Sequence, residues 1–282
     1  MSVQATITRR LLKKSDIWNK PLNEIRQTMA QIKGSGIPQG IIACSMQVNG
    51  VNCEVFRHAD NAERSTLLYF HGGGFCLGIY EANRSFAARL AQLLNVTVYM
   101  PDYRLAPEHP YPAALEDATA VLRELSGCSR LIVMGDSSGC ALALSALQKQ
   151  QVMPQALVMI TPVLDLSDSQ MRVASSVKKD PFRLGDPLKL TKNYSFGQNV
   201  PSPDISPIFG HLENLPPTLV HAAEYDAFLS DACSFADRAK ECASDVQLKI
   251  WPKMWHIFHM QSPFVPEATR ALSEIAAFIK QF

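Results

Sequence analysis

Residues 133–140 read VMGDSSGC and place a serine between two glycines at the spacing Gly135-x-Ser137-x-Gly139. An apolar run that predicts a strand precedes this motif, and a run that predicts a helix follows it. The serine therefore lies at a tight strand-to-helix turn, which presents its hydroxyl above the sheet. Larger side chains at the flanking positions would collide with neighbouring backbone, and glycines avoid that collision. The motif predicts that Ser137 is a nucleophile for acyl transfer.

A glycine-rich stretch upstream could stabilise the negative charge that such an attack creates. In YFHGGGF (69–75), three successive glycines end a predicted strand and leave backbone N–H groups free to point into a cavity. A hydrolase that forms a tetrahedral oxyanion needs fixed donors of this kind, and losing one typically costs about 2.7–4 kcal/mol. We assign the N–H groups of Gly73, Gly74 and Ser138 to an oxyanion hole. His71 is expected to shape this loop through a structural hydrogen bond.

The elements that must position these residues alternate between strand-like apolar runs and helical patterns. This alternation predicts an α/β fold with a mostly parallel sheet that helices cover on both faces. The predicted strands are 41–48, 51–58, 66–72, 96–102, 130–136, 156–162, 217–226 and 246–252. Helices are predicted near 84–94, 112–126, 138–150, 231–242 and 266–281. No helix separates the first two strands, so we expect them to be antiparallel.

Composition narrows the function classes. The chain has 282 residues, 47% of them apolar, which is enough for a full core. A net charge of +1 gives no basic field for nucleic acid. Because no apolar run suits a secretory signal or a membrane span, we expect a cytoplasmic protein that does not cross the membrane. The seven cysteines form no metal-ligand pattern, so no metal is expected, and Cys76 and Cys140 are expected to pack as small apolar residues.

Four stretches together resemble the hormone-sensitive-lipase-like group of α/β-hydrolase esterases. They are YFHGGGF (69–75), MPDYRLAPEHPYPAALEDA (100–118), GDSSG (135–139) and SPIFGHLENLPPTLVHAAEYD (206–226). The tail WPKMWHIFH (251–259) is most similar to the subgroup that contains bacterial short-chain esterases and monoterpene lactone hydrolases. The resemblance implies an α/β-hydrolase fold with an eight-stranded, mostly parallel sheet.

The chain departs from the family pattern at two places. Ser138-Gly139-Cys140 follows the nucleophile where the family usually has Ala-Gly-Gly, which adds a hydroxyl beside the site. Asp226 is followed by Ala227-Phe228, where the family usually has Pro-Leu.

The remaining triad members must come from strand ends at the same sheet edge as Ser137. Asp226 closes the seventh predicted strand, and we assign it as the acid. His256 follows the last predicted strand, and we assign it as the base. The nearby alternatives are Glu224 and Asp231 for the acid and His259 for the base.

Two segments fall outside the alternation of strands and helices. We expect 1–40 and 165–210 to form two parts of a helical cap over a catalytic domain of residues 41–164 and 211–282.

The predicted function is a serine carboxylesterase that hydrolyses short-chain acyl esters through an acyl-enzyme and needs no cofactor. The alternatives are a lactone hydrolase or amidase on the same triad, and a non-catalytic receptor for a small ligand. The expected partner is a small-molecule ester, and the resemblance suggests a homodimer.

Overall fold

The computed structural model describes residues 1–60, 65–167, 178–182 and 186–282. Eight strands form one sheet in the order β1-β2-β4-β3-β5-β6-β7-β8. They are β1 (Ile41–Val48), β2 (Val51–His58), β3 (Thr66–Phe70), β4 (Thr97–Pro101), β5 (Leu131–Asp136), β6 (Ala156–Ile160), β7 (Thr218–Tyr225) and β8 (Val246–Trp255). The pairs β1–β2 and β2–β4 are antiparallel, and the other pairs are parallel. The predicted eight-stranded, mostly parallel α/β sheet is therefore confirmed.

Helices cover the sheet and precede it. They are α1 (Val3–Lys14), α2 (Leu22–Gln31), α3 (Glu81–Leu94), α4 (Ala113–Leu125), α5 (Ser138–Gln150), α6 (Thr191–Tyr194), α7 (Leu229–Glu241) and α8 (Pro266–Ile279). The helix expected near 84–94 begins earlier, where the Asn83 side chain accepts the Tyr80 N–H at 3.1 Å and closes its first turn. The last strand runs past Pro252, because β8 is an edge strand and Pro252 lies within an irregularity of its pairing with β7, where proline is tolerated.

The core lies in two layers on opposite faces of the sheet. Leu122 of α4, Leu142 of α5 and Phe235 of α7 belong to one buried cluster. Leu90 of α3 and Leu272 of α8 belong to the other. Each such side chain contributes about 1.5–3 kcal/mol through burial, so the two layers fix the strands that carry the site.

Strand register brings the predicted site residues to one edge of the sheet. Phe70 of β3 pairs with Gly135 of β5, so the glycine-rich loop and Ser137 leave the sheet side by side. Tyr225 of β7 pairs with Trp255 of β8, and the residues that follow them are Asp226 and His256. All four strands point their carboxyl ends to this edge, where open α/β sheets bind ligands.

The N-terminal helices pack beside this edge. Ala5 of α1 is fully buried in a cluster with Trp255. Arg26 of α2 donates to the carbonyls of Cys76 and Ala106, each at 2.9 Å, and to both oxygens of Glu108 at 2.6 and 2.9 Å. This guanidinium therefore fastens α2 to the loop that follows the three glycines.

The expected insertion 165–210 is described in part, because 168–177 and 183–185 lie outside the described residues. In the part of the chain that the structure covers, no helix has the length and apolar character needed to cross a membrane.

Candidate active site

Ser137 lies at a strained turn between β5 and α5. Its backbone has φ 53° and ψ −123°, a conformation that costs about 1–3 kcal/mol for a residue with a side chain. A Cβ on Gly135 would lie 2.6 Å from the backbone of Gly139, and a Cβ on Gly139 would lie 2.1 Å from the carbonyl oxygen of Phe70. Because backbone atoms cannot move out of the way, both flanking positions require glycine. The turn has the geometry that the motif predicts.

One hydrogen-bonded chain joins the three residues that the sequence assigns to the triad. His256 Nε2 lies 2.8 Å from Ser137 Oγ, and His256 Nδ1 lies 3.0 Å from Asp226 Oδ2. With Nδ1–H donating to the carboxylate, Nε2 is free to accept the serine proton. The other oxygen of Asp226 accepts the N–H of Phe228 at 2.8 Å, which fixes the carboxylate plane.

The electrostatics of the site favour a protonated imidazole during a reaction. Burial acts to lower the pKa of His256, but the Asp226 carboxylate outweighs it, with smaller contributions from Asp180 and Asp136, and the pKa lies above its ordinary value. An imidazole with this environment can take a proton from Ser137 and carry the positive charge that results.

The alternative residues for the acid and the base are engaged elsewhere. His259 is fully buried, and its Nε2 lies 3.2 Å from His221 Nδ1 on the far side of the turn. Burial, together with the two neighbouring histidines, holds its pKa well below the ordinary value. Glu224 accepts the N–H of Lys253 at 2.8 Å.

Asp231, the other alternative acid, also has a backbone role. One of its oxygens accepts the N–H groups of Leu164 and Asp165 at 2.9 and 3.0 Å. This carboxylate therefore anchors the loop after β6.

The glycine-rich loop carries one contact that the sequence does not predict. Gly73 and Gly74 both have positive φ, 126° and 61°, as a loop that turns its N–H groups inward requires. The N–H of Gly74, expected to face an oxyanion, donates to Ser138 Oγ at 2.9 Å. The hydroxyl that replaces the family's usual alanine is therefore a hydrogen-bond partner of the loop.

Two buried groups support this loop from below. Asp136 Oδ1 accepts the N–H of Gly72 at 3.0 Å and the hydroxyl of Tyr69 at 2.5 Å, and burial raises the pKa of Asp136 to about 6. The His71 ring stacks on Tyr103 with centroids 4.4 Å apart, and burial lowers its pKa to about 4. His71 therefore holds the loop, as expected, and is poorly suited to accept a proton.

Sequence reasoning missed three residues beside the triad. Asp180 is buried and accepts the N–H groups of Phe182 and Ala227. Phe182 meets the His256 ring edge-on at 6.3 Å and the Trp18 ring at 5.4 Å. The only local signal was the dipeptide Asp-Pro at 180–181, which also marks ordinary turns.

A cavity of about 120 Å³ opens onto the serine hydroxyl. Its polar side contains the three glycines of the loop, Ser137, Ser138 and His256. Its apolar side includes Trp18, Met29, Leu77, Phe182, Leu190 and Met260. A second cavity of about 420 Å³ shares Trp18, Met29, Phe182 and Met260 with the first. The shared side chains form a wall between the two cavities.

The two cysteines beside the motifs are buried. Cys76 Sγ lies 3.2 Å from the Leu190 carbonyl oxygen, and Cys140 Sγ lies 3.6 Å from that of Ile160. Burial raises the pKa of Cys76 to about 11 and raises that of Cys140 further above the ordinary value. Both thiols stay protonated and pack as expected. Over the described residues, no group of three or more His, Cys, Asp or Glu side chains is placed to hold a metal ion.

Comparisons with known proteins agree with this fold. The model of a family described by the alpha/beta hydrolase fold matches residues 67–260. An acetyl-hydrolase of Streptomyces hygroscopicus is 32% identical over 254 residues, which are 87% of this chain and 84% of that protein. An esterase of Acinetobacter venetianus is 34% identical over 243 residues, covering 83% of this chain and 80% of that protein.

Solved structures are similar over the whole length. A hormone-sensitive lipase homologue from a metagenome library, EstE7, superposes with a TM-score of 0.90 at 32% identity, covering 100% of this chain and 98% of that one. The esterase EstE5, in a crystal soaked with p-nitrophenyl butyrate, superposes with a TM-score of 0.92 at 27% identity, covering 100% and 99%.

Proposed function

The chain belongs to the alpha/beta hydrolase fold family and is an ester hydrolase, and we propose that it is a serine carboxylesterase acting on short-chain acyl esters. The observation that carries this proposal is the contact of His256 with Ser137 Oγ at 2.8 Å on one side and with Asp226 at 3.0 Å on the other. The names of the relatives support ester hydrolysis, and the geometry supports the serine mechanism.

In the proposed reaction, Ser137 Oγ attacks the ester carbonyl carbon while its proton passes to His256 Nε2. The C=O π electrons move onto oxygen, which gives a tetrahedral oxyanion. His256 then donates that proton to the alkoxide as the C–O bond breaks, and the alcohol leaves. A water molecule, deprotonated by the same nitrogen, attacks the acyl-serine, and the second collapse releases the carboxylic acid and restores the serine hydroxyl.

The backbone N–H groups of Gly73 and Ser138 are the proposed oxyanion donors, together with that of Gly74. Both glycines hold the positive φ that turns the loop, and Ser138 is the first residue of α5, where helix N–H groups lack a partner within the helix. In this proposal the Gly74 N–H forms a bifurcated hydrogen bond, to the oxyanion and to Ser138 Oγ.

We assign residues 1–40 and 165–210 to a two-part cap on the catalytic domain of residues 41–164 and 211–282. Trp18 and Met29 from the first segment, and Phe182 and Leu190 from the second, line the cavity above Ser137. A volume of about 120 Å³ holds about four groups of water size, at about 30 Å³ each. The proposed acyl chains therefore have about two to six carbons. The butyrate ester used on the similar EstE5 crystal lies in this range.

A lactone or amide could use the same residues, and no contact among the described residues of the cavity favours either over an ester. In the family that the sequence resembles, members that act as receptors for small ligands have lost the triad histidine. In this chain His256 occupies that position. A homodimer and a cytoplasmic location stay predictions from the sequence.

The replacement Ser137→Ala tests the proposal. We expect hydrolysis of p-nitrophenyl butyrate to fall by about 10³-fold or more, because the nucleophile alone is lost. A fluorophosphonate probe should label the parent and leave the variant unlabelled. Asp226→Asn should also lose most activity, whereas Glu224→Gln should keep it. Residual Ser137→Ala activity within about tenfold of the parent would refute the serine mechanism.

A further inference from the structure

Asp180 is a buried carboxylate with no place in the reaction described above. Its side chain is 1% exposed, and it belongs to the described stretch 178–182 of the insertion. Oδ1 accepts the N–H of Phe182 at 2.9 Å, and Oδ2 accepts the N–H of Ala227 at 3.3 Å. One side chain thus joins the segment that packs on His256 to the turn that carries the acid Asp226.

The bond to Ala227 needs a residue other than proline after the acid. In the pattern that the sequence resembles, the residue after the acid is proline, which has no N–H to donate. Here the residue is Ala227, and its N–H points at Asp180. Ala227, which stands where the family usually has proline, therefore forms a hydrogen bond with Asp180 of the insertion.

Asp180 also places a second negative charge beside the imidazole. Its charge raises the pKa of His256, as that of Asp226 does. Burial first, and then the nearby Asp226 charge, raise the pKa of Asp180 itself to about 6. Among the described residues, the other charged or titratable groups near this pair include Asp136, His259 and Lys179. Arg9 donates to the Lys179 carbonyl at 2.7 Å. Lys179 stands over the Tyr225 ring at 5.1 Å, on the exposed side.

Among the described residues, no cation pairs with the Asp180 carboxylate. Burying a carboxylate in this way costs free energy unless other groups compensate for it. Two backbone N–H groups supply part of that compensation. The positive charge that forms on His256 when Ser137 loses its proton supplies the rest, because two carboxylates then face one imidazolium.

We propose that Asp180 is a positioning residue of the triad, which holds the acid turn through Ala227 and stabilises the imidazolium form of His256 by its charge. This inference rests on the proposed serine mechanism. It makes the insertion a direct contributor to the rate, in addition to its place in the cavity wall.

Replacing Asp180 by a neutral group has a defined effect on the pH profile. A nearby opposite charge typically shifts a pKa by about one unit or more, and one unit corresponds to a tenfold change in the stability of the charged form. His256 must be neutral to accept the serine proton, so kcat/KM rises with pH through the pKa of His256. Loss of the Asp180 charge lowers that pKa, so the acidic limb moves about one unit to lower pH.

The same loss destabilises the imidazolium in the transition state, so the plateau of kcat/KM falls about tenfold. At low pH His256 is already an imidazolium in the free enzyme. Loss of the Asp180 charge then raises the free energies of the free enzyme and of the transition state equally. The profiles of parent and Asp180→Asn should therefore converge on the acidic side and separate about tenfold on the plateau. A purely structural loss would lower the whole profile uniformly.

The experiment measures kcat/KM for p-nitrophenyl acetate against pH in the parent, Asp180→Asn and Asp204→Asn. Asp204 lies in the same insertion, is partly exposed and pairs with Lys149 at 3.0 Å, so its variant should keep the parent profile. Ala227→Pro removes one hydrogen bond and keeps the charge, so its acidic limb should stay in place. If Asp180→Asn does not fold by circular dichroism, Asp180→Ser is the second neutral variant, with the same expectation.

The outcomes separate this inference from the function on which it rests. A parent without ester hydrolysis, or with activity that survives Ser137→Ala, would refute the serine mechanism. An active, Ser137-dependent parent whose acidic limb does not move in Asp180→Asn would overturn the role of Asp180 and leave the mechanism standing. A limb that moves by the same amount in Asp204→Asn would also overturn it.

Discussion

Trp18 forms part of the wall between the two cavities, and its removal should change which acyl chains the enzyme accepts. The indole ring meets Phe182 edge-on at 5.4 Å, and both residues line both cavities. Each methylene that the first cavity can bury contributes about 0.8 kcal/mol, or about fourfold in kcat/KM. Because that cavity holds about four water-sized groups, we expect the parent to prefer butyrate and to lose rate on longer chains.

The replacement Trp18→Ala removes the ring and connects the cavity above Ser137 to the neighbouring space of about 420 Å³. Chains of eight carbons can then extend past the former wall. Octanoate has four more methylenes than butyrate, and burying only two of them contributes about fifteenfold. The ratio of kcat/KM for octanoate to that for butyrate should therefore rise at least tenfold. Rates on acetate should change little, because that acyl group does not reach the wall.

The assay is hydrolysis of p-nitrophenyl esters from acetate to dodecanoate, with a thermal melt to show that each variant is folded. Phe264→Ala is the matched control, because Phe264 lines the second cavity alone and is 68% exposed. Its octanoate-to-butyrate ratio should stay close to that of the parent. An unchanged ratio in Trp18→Ala, or an equal rise in the control, would show that this wall does not limit chain length.

Three further predictions concern the base, the anchoring of α2 and acid stability. His256→Gln should lose nearly all ester turnover and His259→Gln should keep most of it, in the same p-nitrophenyl butyrate assay; the reverse result would move the base by three residues. Arg26→Ala should lower the melting temperature by about 4–8 °C, because the charged hydrogen bonds that fasten α2 contribute about 2 kcal/mol, and Arg26→Lys should recover only part of it. His71, His221 and His259 are buried, and burial is the main cause that holds their pKa values down, to about 4 for His71 and about 3 for His221. The unfolded chain takes up protons at these three sites below about pH 6.5 while the folded chain does not, which lowers the free energy of unfolding as the pH falls. Asp136 and Asp180, whose pKa values are raised to about 6, and His256, whose pKa is also raised, take up protons in the folded chain and oppose part of this loss. Because the shifts of the three buried histidines are larger in sum, the melting temperature should fall from about pH 6.5 towards pH 4. Thermal melts from pH 8 to pH 4 check this, and a constant melting temperature would contradict it.

Strand pattern and motif spacing were sufficient to predict the sheet and the residues that meet at its edge. Parallel strands end at a common edge, so a serine after β5, an acid after β7 and a histidine after β8 must lie near one another. The structure brings Ser137, Asp226 and His256 together within hydrogen-bonding distance. Whether they carry the reaction is the question that the Ser137→Ala experiment addresses.

Contacts from segments without a repeating pattern could not be predicted. Asp180 and Phe182 belong to a polar insertion, and Trp18 belongs to an N-terminal turn. Apart from the local bond between Asp180 and the Phe182 N–H, their partners are 47 or more positions away along the chain, so no local signal relates them. The Gly74–Ser138 bond is a similar case, because the serine was visible in the motif but its partner depended on how the glycine loop turned.

The choice between His256 and His259 shows what decides such cases physically. Ile257, the first of the two residues between them, has φ 48°, which a β-branched side chain adopts only under strain. This conformation reverses the chain, so that His256 faces the cavity while His259 faces His221. The Ile257 N–H donates to Thr161 Oγ1 at 3.2 Å.

Thr161, in turn, has φ 43°, and Ser137 has φ 53°. The Thr161 N–H donates to the His221 carbonyl at 2.7 Å and the Ser137 N–H to the Ile160 carbonyl at 2.9 Å. Three strained residues on three different segments therefore meet at one sheet edge and are held there by hydrogen bonds to one another's strands and turns. Each costs about 1–3 kcal/mol, and the core layers on both faces of the sheet must offset that sum. Positive φ also occurs at turn residues elsewhere, such as Asn49 and Asn214, so what distinguishes this edge is that three such residues are joined there by hydrogen bonds. The strained turn at Ile257 explains why a histidine three residues after His256 is directed away from the serine.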